Sequence, residues 1–593
     1  MSSKARNELS EWRAVAAQAP IWQQRHLRDV WGAKEGASAQ GTHGAKSAST
    51  RTAELTRTHD GLLFDFSKQR LDASVLNDLL ALAEACELPR AIERLLSGDR
   101  VNQSEDRAAL HTALRLPATS QLVVEGEHVV PAIHASLARM SDIVSRIHAQ
   151  QWRGVTGEAI SDVVSIGVGG SDLGPYLATQ SLAEFTPPEA RGLSLHFVSS
   201  IDGTQLADLL DHLRPETTLF VVASKSFSTI DTLSNAETAI AWMRTRISDR
   251  ARILRHHFIG VSAKPEKMTA YGIPESNQIR FWDWVGGRFS LWSGIGLPIA
   301  LKLGMNGFKE LLAGAHALDT HFAQAPLADN LPVLMGLLQV WNSTFLGING
   351  QAILPYDARL KLFPSYLTQL EMESNGKSVD RLGKPIDYAT CPILWGEVGS
   401  NAQHAFYQLL HQGTQPVACD FIAPIRRYSR DDDTGSSLQH QQQLALANCL
   451  AQSRVLMLGD DTRQGHHYYR GNQPSSTLLF DELTPYRLGQ LIALYEHKVY
   501  VASVLWNINP FDQWGVELGK QIATATHSVM TGRASADDYD GSTQQLLRVI
   551  ANGRAGWERG LARADLPQSD APRVPDAGSL SPDAPRAAKE SLS

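Results

Sequence analysis

"DVVSIGVGGSDLGP", residues 162–175, decides how this chain is read. Its first residues form a short apolar, β-branched run that suits a buried strand. Glycines follow, then a helix-compatible segment. Strand, tight turn and helix in that order open a parallel α/β unit. The same alternation continues outward. "LHFVSS" (195–200), "LFVVAS" (219–224) and "HHFIGVS" (256–262) read as further buried strands. "TQLADLLDHL" (204–213) and "IDTLSNAETAIAWMRTRI" (230–247) read as helices between them. A second alternating region runs from about Leu301 to Ala525, with "QAILPY", "CPILW" and "CDFIAPI" as strand candidates. The fold class is therefore α/β, with two parallel-sheet domains and ligands expected at the carboxyl ends of their strands.

Upstream, residues 1–31 look helical, and apolar spacing from Leu71 to about Ile147 predicts more helices. Residues 32–50, "GAKEGASAQGTHGAKSAST", have no apolar period and read as a flexible loop. From about Ala562 the chain is rich in Pro, Ala, Asp and Ser, and disorder is expected there. The expected organisation is a helical region over 1–125, α/β domains over 126–300 and 301–525, and helices plus a tail over 526–593.

A chain of 593 residues exceeds one hydrophobic core. Its 55 basic and 62 acidic side chains give a net charge of −7, which argues against a nucleic-acid or anionic-membrane partner. The four cysteines form no CxxC pair and have no histidine at zinc spacing, so no disulfide scaffold or metal site is expected. The start, "MSSKARNELSEW", lacks an apolar signal core, and a cytoplasmic protein is expected. Asn330 to Tyr356 holds no charged residue and is long enough to span a bilayer. Gln339, Asn342, Ser343, Thr344 and Asn349 interrupt it, so a buried helix followed by a strand is expected.

Several segments could carry chemistry. In "SIGVGGSDLGP" the glycines let backbone N–H groups approach an anion, and Ser171 adds a hydroxyl near a helix N-terminus. Asp172 stands where the dinucleotide fingerprint needs a third glycine, and no GK[ST] follows. A phosphate site and a plain strand–helix turn both fit. "VVASKSFSTIDT" (221–232) gathers Ser224, Lys225, Ser226, Ser228 and Thr229 at the next helix start; a phosphate site and an N-capping run both fit. Arg288 in "DWVGGRFSLWSGIG" (283–296) could stabilise an oxyanion or form a structural ion pair. His404 in "GEVGSNAQHAFYQLLHQG" (396–413) could pass protons or be structural. In "NPFDQWGVELGKQIA" (509–523) the spacing of Gln513, Glu517 and Lys520 favours a salt-bridged helix face. "QLEMESNGKS" (369–378) reads first as a solvated helix end, with Gln369 and Glu373 on one face and Glu371 pointing elsewhere.

Together, "IGVGGSDLGP", "SKSFSTIDT", "DWVGGRFSLWSGIG", "QLEMESNGK", "QHAFYQLLHQG" and "FDQWGVELGK" resemble the glucose-6-phosphate isomerase family over roughly Leu71 to Ala525. "SEDRAALHTALR", "CDFIAPI" and "GNQPSSTLLFDELTP" are similar too. The resemblance implies two doubly wound sugar-isomerase-type (SIS) domains, a homodimer and no cofactor or metal. It implies a phosphosugar substrate and an aldose–ketose isomerisation through a cis-enediol. Glu373 would be the base, Arg288 the oxyanion partner, and His404 and Lys520 the ring-opening groups, with His404 reaching the other subunit's site. Gly170, Ser171, Ser224, Lys225, Ser226 and Thr229 would hold phosphate, and Gln369 and Gln513 would complete the shell. The chain departs from the family at Ser226, Ser228, Ile230 and Asp231, where SKTFTT and Gln-Glu-Thr are common, and at Ala402, where glycine is usual. A non-catalytic phosphosugar-binding regulator and an isomerase that also accepts mannose 6-phosphate are the competing readings.

Overall fold

The computed structural model describes residues 5–31, 48–427 and 433–561. The chain divides into two compact units, one ending at Asp512 and one beginning at Gln513. The expected disordered tail, and most of the expected 32–50 loop, lie outside the described residues; Ala48–Glu54 is a short helix.

The first unit holds two principal sheets. One has five strands in the order Ser194–Val198, Asp162–Ile166, Thr218–Ala223, Phe258–Ser262, Gln278–Arg280, and every pairing is parallel. Asp162–Ile166 comes first in the chain but lies second in space. The next strand joins it on one side and the following one on the other. The chain therefore reverses direction between Asp162–Ile166 and Thr218–Ala223. The loops leaving such neighbours part and open a crevice. The other sheet has six strands in the order Thr56–His59, Leu62–Asp65, Ser475–Phe480, Val417–Pro424, Gly350–Pro355, Ile393–Gly396. Its last four are parallel. Its first two are an antiparallel hairpin donated by the N-terminal region. The hairpin turns on Asp60 and Gly61, at φ 44° and 75°. Asp-Gly suits a two-residue turn with both φ positive.

Hydrophobic pattern dictates the rest. "VLNDLLALAEACELPRAIERLL" folds as two helices, Ala73–Ala85 and Leu88–Ser97, separated by Glu87 at φ 56°. The uncharged stretch folds as Leu331–Val340, a wider turn over Trp341–Phe345 and the Gly350–Pro355 strand. Its polar residues bond inside the fold: Asn342 Nδ2 donates to Gln69 Oε1 at 3.0 Å and Ser343 Oγ to the Gln339 carbonyl at 2.8 Å. None of the described helices is long and apolar enough to cross a membrane. The Pro485–Leu505 helix is buried along almost its whole length, packed against Leu297–Gln324, Leu331–Val340 and Phe363–Asn375. A helix buried on every side must pair any charge it carries. Glu496, His497 and Lys498 are all paired.

Candidate active site

Two turns leave the strands that flank the crevice. The first, Gly169–Ser171, joins Asp162–Ile166 to the Leu173–Ser181 helix. A Cβ on Gly170 would lie 2.0 Å from the Gly287 carbonyl oxygen, so only glycine lets these two loops touch. Gly169, at φ 59°, has its Cβ position 2.9 Å from Gln369 Nε2. The first sheet's turn thus meets both the Arg288 loop and the helix that carries Glu373. Beneath it, Asp172 is buried and its carboxyl is pushed up to about 6 by desolvation. Ser171 remains partly exposed.

The second turn follows Thr218–Ala223 and ends at the Ile230–Met243 helix. The Ser224 and Thr229 hydroxyls lie 3.0 Å apart, and those of Ser226 and Ser228 lie 2.9 Å apart. Lys225 Nζ donates to the Asp283 carbonyl at 2.7 Å. Burial, then the nearby Arg107 charge, pulls its pKa down to about 8. Two hydroxyl pairs stand at a helix N-terminus here, on the same turn as a lysine that reaches the Asp283 carbonyl. The unusual Ile230 is exposed, so its side chain leaves this cluster undisturbed. Ala402 lies in the Gly399–Gln403 helix and is not among the positive-φ residues, so alanine fits there.

Arg288 is 3% exposed. Its Nε donates to Ser374 Oγ at 2.6 Å and its Nη2 to the carbonyls of Pro510 and Asp512. Nη1 stands 3.6 Å from Glu373 Oε2. Burial lowers the guanidinium pKa, while Glu373 and Asp512 oppose this; the group stays cationic near neutrality. The Glu373 side chain is one quarter exposed, and its Oε2 accepts from Gln369 Nε2 at 2.9 Å. The spacing-based pairing of Gln369 with Glu373 is therefore realised in the Phe363–Asn375 helix. The site unites a reachable carboxylate, a fixed cation and two anion-ready turns.

Glu371 differs from its expected solvated position: it is 1% exposed and bonds to Gln339, Asn375 and Lys498. Local spacing showed that it points away from Glu373 but not that another helix covers it. Sequence reasoning also missed Ser374, Lys377 and Asp512. Lys377 Nζ donates to the Glu373, Ser374 and Asp512 carbonyls at 2.9, 2.8 and 3.1 Å. It caps carbonyls that a helix end leaves unpaired. Burial, then Arg288, brings its pKa down to about 8. The position of this lysine just after an acidic helix end was the available signal.

His404 is exposed at the end of Gly399–Gln403, and among the described residues its ring has no hydrogen-bond partner. Among the described residues, no hydrogen bond or ion pair joins it to Gln369 or Glu373. His411, by contrast, bonds Gln452 Oε1 at 2.8 Å. Gln513 and Lys520 belong to the second unit. There Gln513 precedes the Trp514–Val516 turn, and Lys520 pairs with Glu517 at 2.8 Å on the Glu517–Met530 helix, as the three-residue spacing predicts. Among the described residues no group of three His, Cys, Asp or Glu is placed to hold a metal ion. His257 bonds through both nitrogens, to the Thr218 carbonyl and the Val155 N–H, and burial lowers its pKa to about 4.

A family model described as Phosphoglucose isomerase matches residues 65–547. The chain is 56% identical over 554 residues to glucose-6-phosphate isomerase 2 of Chromohalobacter salexigens, covering 91% of this chain and 97% of that one. It is 58% identical over 516 residues to glucose-6-phosphate isomerase of Psychrobacter cryohalolentis, covering 84% and 92%. Among solved structures, a glucose-6-phosphate isomerase from Chlamydia trachomatis superposes with a TM-score of 0.78 at 31% identity, covering 92% of this chain and 99% of that one. With a matching family model over most of the length, more than half the residues shared with curated relatives and the fold in common, the chain belongs to the phosphoglucose isomerase family.

Proposed function

We propose that this enzyme interconverts glucose 6-phosphate and fructose 6-phosphate. The observation that carries the reading is the partly exposed Glu373 carboxylate, oriented by Gln369 and 3.6 Å from the buried Arg288, beside the two hydroxyl- and glycine-rich turns. The phosphate binds at Gly170, Ser171, Ser224, Lys225, Ser226 and Thr229. Its binding energy holds the reacting carbons against Glu373. His404 and Lys520 move protons during ring opening. Glu373 then takes the proton from carbon 2 of the open-chain aldose. The electron pair forms the carbon 1–carbon 2 double bond, and oxygen 1 becomes the oxyanion that Arg288 steadies before protonation. Returning the proton to carbon 1 while oxygen 2 loses its own gives the ketose. The reverse sequence regenerates the aldose. Gln369 and Gln513 complete the substrate shell.

The exposed, unpaired His404 suits a homodimer in which each histidine enters the neighbouring protomer's site. The four free cysteines suit a reducing, cytoplasmic compartment. No cofactor enters the scheme. The test is a coupled assay of the purified protein on fructose 6-phosphate without added metal, alongside Glu373→Gln. Wild-type turnover with loss of turnover in the variant, phosphosugar binding being largely retained, is the expected result. Near-normal turnover by Glu373→Gln would remove Glu373 as the base. An inactive, well-folded wild-type dimer would make the chain a phosphosugar-binding regulator.

A further inference from the structure

The last turn of the Phe363–Asn375 helix carries two glutamates with opposite fates. At about 100° per residue, side chains two apart leave a helix roughly 200° apart. Glu373 faces the crevice and Glu371 faces the interior. We propose that the buried Glu371–Lys498 pair is a positioning device for the Glu373 carboxylate, setting the rotation of this helical turn. The proposal rests on the reading of Glu373 as the base.

Glu371 Oε1 accepts from Gln339 Nε2 at 2.6 Å and Asn375 Nδ2 at 2.8 Å, and its Oε2 lies 3.3 Å from Lys498 Nζ. Lys498, also 1% exposed, makes a second contact with Gln351 Oε1 at 3.2 Å. Gln351 Nε2 bonds Asp420 Oδ2 at 2.8 Å, and the Tyr495 hydroxyl donates to the same oxygen at 3.1 Å. Glu371 is thereby tied to the Leu331–Val340 helix, the Pro485–Leu505 helix and two central strands of the six-stranded sheet. Asn375 Nδ2 adds a bond to the Val499 carbonyl at 3.2 Å. On the crevice side Ser374 accepts from Arg288. The turn is held from both sides, and whatever fixes Glu371 fixes the direction in which Glu373 leaves.

Two physical points favour positioning over stability. The final turn of a helix lacks following residues to bond its carbonyls and frays unless anchored. A buried ion pair adds little net stability over a well-packed apolar pair, because desolvation offsets its attraction. What the pair supplies here is a directional restraint. A base displaced by about 1 Å can lose a hundredfold in rate.

The experiment compares Glu371→Gln, Lys498→Arg and the double variant Glu371→Gln/Lys498→Met with wild type. Readouts are kcat and KM per folded enzyme, thermal unfolding, and the isotope effect with glucose 6-phosphate deuterated at carbon 2. Glu371→Gln keeps the acceptor for Gln339 and Asn375 but loses the pull on Lys498. Its kcat is expected to fall about ten- to a hundredfold, with KM within about twofold and a larger isotope effect. Lys498→Arg, which keeps the charge, is expected to retain more activity than Glu371→Gln. The double variant is expected to recover the melting temperature but not kcat. Unchanged kcat in folded Glu371→Gln, or recovery of kcat in the double variant, would overturn the proposal. Failure of all three variants to fold would also overturn it, since the pair would then determine the fold. If Glu373→Gln is itself active, the reading of the base fails. If Glu373→Gln is inactive while Glu371→Gln turns over normally, only the positioning role fails.

Discussion

Two arginine–carboxylate clusters in the first unit differ in how the arginine spends its donors. At the crevice, Arg288 donates to a serine hydroxyl and two backbone carbonyls, and Glu373 stands 3.6 Å off with a quarter of its side chain exposed. In the interior, Arg115 grips Asp319 through two bonds of 2.9 and 2.7 Å and Glu496 through one of 2.6 Å. Trp292 Nε1 and His497 Nε2 complete those carboxylates at 2.8 and 2.7 Å. Burial raises Glu496 to about 7, whereas Asp319 is held below its ordinary range by Arg115 and His497 despite the desolvation that opposes this. Perturbed titration alone does not separate the two, since Asp172, Lys225 and Lys377 around the crevice are shifted as well. Access distinguishes them. Arg115 and its two carboxylates are sealed in the interior, while Arg288 faces a carboxylate, Glu373, that solvent and a substrate can reach.

The sharpest way to break this contrast is at the two clusters themselves. Glu373→Gln should lower kcat by about three orders of magnitude or more, with little change in melting temperature, in the coupled assay. Arg115→Met should do the reverse. It leaves Asp319 and Glu496 buried without their cation, costing about 3–5 kcal/mol in denaturant unfolding, while kcat per folded molecule holds. A large loss of kcat per folded Arg115→Met molecule would end the distinction. Gly170→Ala should raise KM for the phosphosugar several-fold, because its Cβ would strike the Gly287 carbonyl and push the Arg288 loop from the first turn. Acid should then act on the interior first. His257 and His321 are lowered to about 4 by burial, and His111 and His497 are lowered too. Their folded pKa values lie below the unfolded 6.5, so the stability they preserve is complete above that pH. It is lost as pH falls toward 4, because the unfolded chain binds the protons first. Glu496 and Asp172, raised to about 7 and 6, take up protons in the folded state first and offset part of this loss, so the melting temperature measured from pH 7 to 4 should fall by what the four histidines leave over. The smallest effect belongs to Ile230→Gln, an exposed change expected to stay within about 0.5 kcal/mol.

The legible parts of the chain were those governed by local rules. The Asp162–Ile166, Thr218–Ala223 and Phe258–Ser262 strands were visible as apolar runs because a strand buried on both faces needs continuous hydrophobicity, whereas Ser194–Val198, also expected to be buried, is an edge strand with only Val198 buried. The fifth strand, Gln278–Arg280, escaped because an edge strand of three residues has no such run. The Thr56–His59 and Leu62–Asp65 hairpin was overlooked although Asp60-Gly61 signals it. Its partner strand, Ser475–Phe480, lies more than 400 residues away, so the hairpin's place in the second sheet could not be read locally. The site divides likewise. Gln369 beside Glu373 follows from four-residue spacing, whereas Ser374, Lys377 and Asp512 acquire their roles only through contacts between distant segments.

By itself the sequence determined the α/β class, the family, the two glycine- and hydroxyl-rich turns and the divergence of Glu371 from Glu373, since each depends on periodicity or on residue types within one short segment. The tertiary structure alone decided which glutamate meets solvent and which is sealed against Lys498, and which arginine faces a reachable carboxylate. Burial and pairing are set by what other segments bring to a side chain, and no local pattern encodes that.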